Sequence, residues 1–346
     1  MVSALFMNIA PARYRRRSLP EWLKDDLFFS IKTLVIGCLT IPFFTTSRAA
    51  STTPLHNIPA PPSNYYWVVP EQSLTAIITQ NNEQELPYFL ERDSYSLADV
   101  ETLALTYPQT IQAILLDSTT SIIACARAWF QPLHNTGQCG QPAGYFRNML
   151  FWDPSRLTTP PHWADLWDVA RYPGQRTFFK GPRITLEIAL LADGVPPSHI
   201  YRQLSTSQGI DRAFRKLDQL RPYIIWWSSA SQAYHILNRR SVLMGVAPSA
   251  VILAGQSLQD SGRRYQIQGN NILYLPAVWD IPSTLSPEKT NETKAILLTD
   301  PPHIVNLPAH LPTESLEISE SFWASNALLL GARFDAWLAN TPSPLP

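Results

Sequence analysis

Charge is scarce in this 346-residue chain. Lys, Arg, Asp and Glu make up 16% of it, the formal net charge is zero, and no basic stripe occurs. Nucleic acid is therefore not an expected partner, because its backbone needs a concentrated positive surface. Catalytic signatures are missing as well. The chain has no P-loop, dinucleotide glycine fingerprint, His-Glu-x-x-His or Cys-x-x-Cys, and no Gly-x-Ser-x-Gly elbow. Its seven histidines are scattered, with no two at metal-ligand spacing, and there are only three cysteines. These absences lower the expectation of an enzyme and imply no cofactor. No internal repeat is visible, and the longest N-terminal apolar run is too short to span a bilayer comfortably.

Bulk and aromatics are plentiful. Hydrophobic residues reach 45%, with 11 tryptophans and 31 prolines, so the chain has a substantial core and many rigid connections. Its length suits two lobes of ordinary domain size.

The amino terminus carries a separate message. Residues 1–50 hold seven Lys/Arg against three Asp/Glu, so the remainder is acidic. Arg13, Arg15, Arg16 and Arg17 precede an apolar run, Thr33 to Phe44, and then Ser47-Arg48-Ala49-Ala50. A positive flank, a short apolar core and small residues describe a secretory signal over residues 1–49; the alternative is an ordinary buried apolar segment. Export would leave Cys125 and Cys139 as an even pair in an oxidising compartment. A disulfide between them would add about 2–4 kcal/mol; the alternative is two unrelated thiols.

Strands are expected at Tyr65–Val69, Ile111–Leu116, Ser121–Phe130, Met149–Trp152, Ile224–Trp227, Ser241–Ala247 and Ala295–Leu298. Helices are expected at Glu71–Gln80, around Leu97–Leu105, after Pro182, at Asp211–Leu220, at Gln232–Asn238 and at Phe322–Trp337. His134–Tyr145 and most of Ser283–Pro312 read as connection. Such alternation is an α/β pattern with a polar crevice at its strand ends.

Five ordered motifs run from Asp165 to Trp227. They are Trp-Ala-Asp-Leu-Trp-Asp, Tyr-Pro-Gly-x-Arg, Leu-Glu-Ile-Ala-Leu-Leu-Ala-Asp-Gly-Val, Arg-Ala-Phe-Arg-Lys-Leu-Asp and Trp-Trp. This stretch resembles the second lobe of bacterial extracellular solute-binding proteins, and is most similar to the spermidine/putrescine-type subunits of ABC importers. The resemblance implies an α/β, two-lobed, type II periplasmic binding fold, each lobe a mixed sheet flanked by helices and joined by a hinge. It implies a periplasmic, monomeric receptor that closes on a small solute and meets a membrane ABC permease. Lobe I is expected at residues 50–124 plus about 248–300, and lobe II at 125–247 plus about 301–340. The crossings would lie near Cys125–Trp129 and Val246–Ser249.

The same resemblance places candidate ligand contacts at Trp67, Tyr274, Trp279, Trp226, Trp227, Ser228 and Ser229. Core packing is the alternative for each aromatic, and at most one of Trp226 and Trp227 should face ligand. Lys180 and Arg183 stand where polyamine binders carry acids, and Ala277 replaces another such acid. A cation would be disfavoured beside Lys180 and Arg183, which pulls toward a neutral or carboxylate-bearing solute; the bland alternative is solvated surface charge. Two further readings stay open. One is a thiaminase-like enzyme using Cys125 or Cys139 as nucleophile with His134 nearby. The other is a degenerate member acting only through a partner.

Overall fold

A nearly continuous apolar run such as Ile111-Gln112-Ala113-Ile114-Leu115-Leu116 suits a strand covered on both faces, and β3 (Ile111–Asp117) is buried along nearly all its length. The computed structural model describes residues 66–340 except 71–72, 74–76, 78–88, 93–95, 108–109, 134–136 and 258–264. The expected export segment, most of the expected Glu71–Gln80 helix, and His134 lie outside the described residues.

β3 sits beside β1 (Tyr66–Pro70), which pairs in turn with β2 (Phe89–Arg92), all parallel. Helix α1 (Leu97–Thr106) starts on a capping box, Ser96 with Asp99. Asp117 then caps α2 (Ser118–Ala126), accepting from the Thr120 amide. The strand expected at Ser121–Phe130 is therefore a helix followed by a turn. The β-branched Ile122 and Ile123 suggested a strand, but the capping aspartate three residues before Thr120 decides the local structure.

Two long strands, β4 (Gln141–Trp152) and β8 (Gln266–Asp280), pair antiparallel from Gln141↔Trp279 to Trp152↔Gln266. Between them come β5 (Arg176–Phe179), α3 (Pro182–Ala192), α4 (Ser207–Leu220), β6 (Ile224–Trp227), α5 (Ala230–Asn238), β7 (Met244–Pro248) and α6 (Ser249–Ser257). After β8 follow α7 (Pro287–Thr299), the short β9 (Leu316–Glu317) and α8 (Glu320–Ala339). Strand order is β2-β1-β3-β8-β4-β7-β5-β6, with β9 on β8. Parallel strands thus lie at both ends, and β4 and β8 carry the ladder through both lobes. Both lobes are joined by these strands, which follow Cys125 in one direction and Val246 in the other. Helix α6 turns back onto α5, and β8 follows it.

Ser286 followed by Pro287 starts α7, with Ser286 accepting from the Lys289 amide. The strand expected at Ala295–Leu298 is the end of this helix. In α4, Ala213, Phe214, Leu217 and Leu220 form the buried face. In α8 the stripe Trp323, Leu330 and Phe334 is buried against α3 and α4, and α8 also touches α2. Cys125 and Cys139 form a disulfide, tying the end of α2 to the approach of β4.

Candidate functional site

Where α/β strands end and the next helices begin, backbone N–H groups converge on a crevice. A cavity of about 200 Å³ lies there, lined by residues of both lobes. The amino ends of four helices border it, through Thr120 of α2 and its cap Asp117, Arg183 and Ile184 of α3, Ala230 of α5, and Ser249 of α6. Its floor is the middle of β4, Tyr145 to Asn148, with Leu275 of β8. Phe146, Phe179, Trp227 and Ile304 supply apolar wall.

β4 reaches this floor through a bulge. The register shifts between Pro142 and Gly144, and Gly144 has φ +103°, a conformation that L residues resist. A Cβ at Gly144 would stand 2.5 Å from the Val305 carbonyl oxygen, so glycine also permits the Tyr145 amide to donate to that oxygen at 2.7 Å.

Three charged side chains of the lining define the electrostatics. Asp117, at the end of β3, accepts from the Thr120 amide at 3.0 Å and the Thr120 hydroxyl at 2.8 Å. Arg183, from the other lobe, donates Nη1 to Asp117 Oδ1. Burial alone would push the Asp117 carboxyl up, but the Arg183 charge and the Thr120 bonds hold it below the usual range. Arg183 mirrors this: burial would lower it, and Asp117 raises it. The third group is Arg147. Its Nε is shielded from solvent and finds no acceptor among the described residues. Two guanidiniums against one carboxylate leave the lining net positive.

The turn bearing Arg183 is unusual. Ile184 adopts φ +75° before regular helix resumes, an outlier for a β-branched residue. The Thr185 hydroxyl donates to the Phe179 carbonyl at 3.0 Å, and Glu187 is fully buried one turn further on.

Of the residues expected to meet ligand, the structure brings Trp227 and Arg183 to the cavity. The Trp227 indole donates to the Val246 carbonyl at 3.1 Å and its ring lies 5.0 Å from Phe179. Trp226 points the other way, packing edge-on against Phe334 and Trp337 in the lobe II core. Trp67 and Trp279 are fully buried and pack edge-to-face at 5.0 Å in lobe I. Their N–H groups donate to Gln112 Oε1 and to the Pro302 carbonyl. Tyr274 is buried against Tyr145. Ser229 caps α5 by accepting from the Gln232 amide, and the Ser228 amide donates to Gln232 Oε1. Lys180 is exposed. These six stand in core, capping and surface positions outside the cavity lining, and so does Lys180. Sequence reasoning missed Arg147, whose signal was a lone cation inside Tyr-Phe-Arg-Asn-Met-Leu. It also missed Asp117, a strand-ending acid before Ser-Thr-Thr.

Both cysteine sulfurs are held in the disulfide, so neither is the thiol nucleophile that the enzyme reading required. Among the described residues no three His, Cys, Asp or Glu gather as a metal site.

The family model for bacterial extracellular solute-binding protein matches residues 70–297. A gamma-aminobutyric acid-binding protein of Pseudomonas aeruginosa is 32% identical over 231 residues, covering 58% of this chain and 64% of the relative. The chain thus spans a little under two thirds of that relative's length. A solved structure described as a GABA receptor aligns with TM-score 0.61 at 18% identity, over 82% of this chain and all of that one. An ABC transporter substrate-binding protein from Bradyrhizobium japonicum aligns equally well, TM-score 0.61 at 19% identity, over 80% of this chain and all of that one. The fold is the two-lobed type II α/β architecture of periplasmic binding proteins. The expected likeness to spermidine/putrescine-type subunits is corrected by the curated relative, which binds gamma-aminobutyric acid. The family binds solutes rather than transforming them, and membership places the protein in the periplasm. The chain belongs to the bacterial extracellular solute-binding protein family.

Proposed function

We propose that this protein is the solute receptor of an ABC importer, and that its cavity takes a small carboxylate-bearing solute of the 4-aminobutyrate type. One observation carries the reading. Arg147 lines the cavity, and its buried Nε has no protein acceptor among the described residues. A guanidinium offers paired donors that match a carboxylate. Four helix amino ends around the same space favour negative charge further. Apolar walls suit a short methylene skeleton, and a cavity of about 200 Å³ admits only a small solute. The gamma-aminobutyric acid-binding relative of Pseudomonas aeruginosa agrees with this class. Contacts from both lobes would stabilise the closed form, which is the form offered to a membrane permease.

A thermal-shift screen with 4-aminobutyrate, other short amino acids and simple carboxylates tests the reading. Solute at about a hundred times its dissociation constant adds about 2.7 kcal/mol, visible as a rise of several degrees. The rise should vanish in Arg147→Gln. No rise with any carboxylate, or a rise that survives that substitution, would sink the proposal.

A further inference from the structure

The Asp117–Arg183 ion pair joins the two lobes along the cavity wall. Asp117 is fixed on its own lobe by two bonds from Thr120, and Arg183 stands on the Ile184 turn of the other. Their side chains keep only 16% and 22% of their exposure. Charges so shielded are costly to leave alone. A monocarboxylate that took Arg183 would strand Asp117. A diamine that took Asp117 would strand Arg183, with Arg147 lining the same cavity. A molecule carrying both charges leaves neither unpaired.

Building on the solute reading above, we infer that the Asp117–Arg183 pair is an internal stand-in for a zwitterionic solute. It holds the lobes together in protein free of solute. It is split on binding, the ammonium going to Asp117 and the carboxylate to Arg183 and Arg147. Specificity then comes as much from the stranded charge that a wrong solute leaves behind as from contacts to the right one.

The test compares 4-aminobutyrate, butyrate and putrescine by calorimetry on the full chain, wild type against Asp117→Asn. Asparagine caps a helix as well as aspartate does, so the variant keeps α2. Wild type should prefer 4-aminobutyrate to butyrate, and in Asp117→Asn that preference should fall about tenfold or more. An unchanged ratio overturns the inference while leaving the solute reading intact. A second measurement needs no solute. Small-angle scattering at low salt should give a larger radius of gyration for Asp117→Asn and Arg183→Gln than for wild type, and equal radii overturn the stand-in. If wild type takes none of the three compounds yet the radii differ, the solute reading fails and the stand-in survives.

Discussion

The indole N–H of Trp323 donates to Glu187 Oε1 at 2.7 Å, and the Tyr201 hydroxyl donates to the same oxygen at 3.1 Å. This ties the closing helix to the helix that carries Arg183. Burial pushes the Glu187 carboxyl up, against the pull of these donors, from 4.5 to about 7. A raised carboxyl contributes stability that is complete below its unfolded value and is lost as pH rises through its folded one. Stability should therefore fall between about pH 4.5 and 7, and Glu187→Gln, which keeps the accepting oxygen, should flatten part of that fall. Asp280, also buried and raised to about 7, supplies a second part. Melting curves across this range decide it; an unchanged slope in Glu187→Gln would count against the assignment.

Arg147→Gln should weaken binding of the preferred carboxylate by about 2–5 kcal/mol, the usual cost of removing one member of a buried charged pair. The solute-free melting temperature should hardly move, since the buried Nε bonds to no described residue. Calorimetry and melting curves on one preparation separate the two effects.

Gly144→Ala should cost about 1–3 kcal/mol, from the φ it must hold and the Val305 oxygen it would meet. Urea unfolding measures this. No loss would mean that the bulge had moved.

Reduction, or replacement of Cys125 and Cys139 together by serine, should destabilise the protein by about 2–4 kcal/mol, as expected for closing a short loop across 14 residues. Denaturation with and without reductant checks it, and wild type and the double variant should coincide once reduced.

Fold class was legible because its signals are local and repeated. The stripe of α8 and the face of α4 follow from spacing alone. The site was far less legible. Trp67 and Trp279 resembled ligand contacts, but nothing in a linear sequence says that two tryptophans 212 positions apart close on each other 5.0 Å away. Arg147 was hidden for the opposite reason: it sits mid-strand, after a bulge, between the His134–Tyr145 stretch that reads as connection and the strand expected from Met149. Asp117 was hidden because the residues after it read as strand rather than as a capped helix, and its partner comes from the far lobe, 66 positions away. Such pairings are fixed by tertiary geometry, which spacing along the chain does not carry.

The ladder of β4 and β8 is irregular at two places, between Pro142 and Gly144 and between Met149 and Phe151. These joints bracket Tyr145–Asn148, the stretch that lines the cavity. Amide exchange should be faster at the joints than in the bracketed stretch, and equal rates would argue against a division of labour. The ladder can then bend at the joints while Tyr145–Asn148 moves as a rigid insert, so the cavity floor keeps its spacing whatever the angle between the lobes.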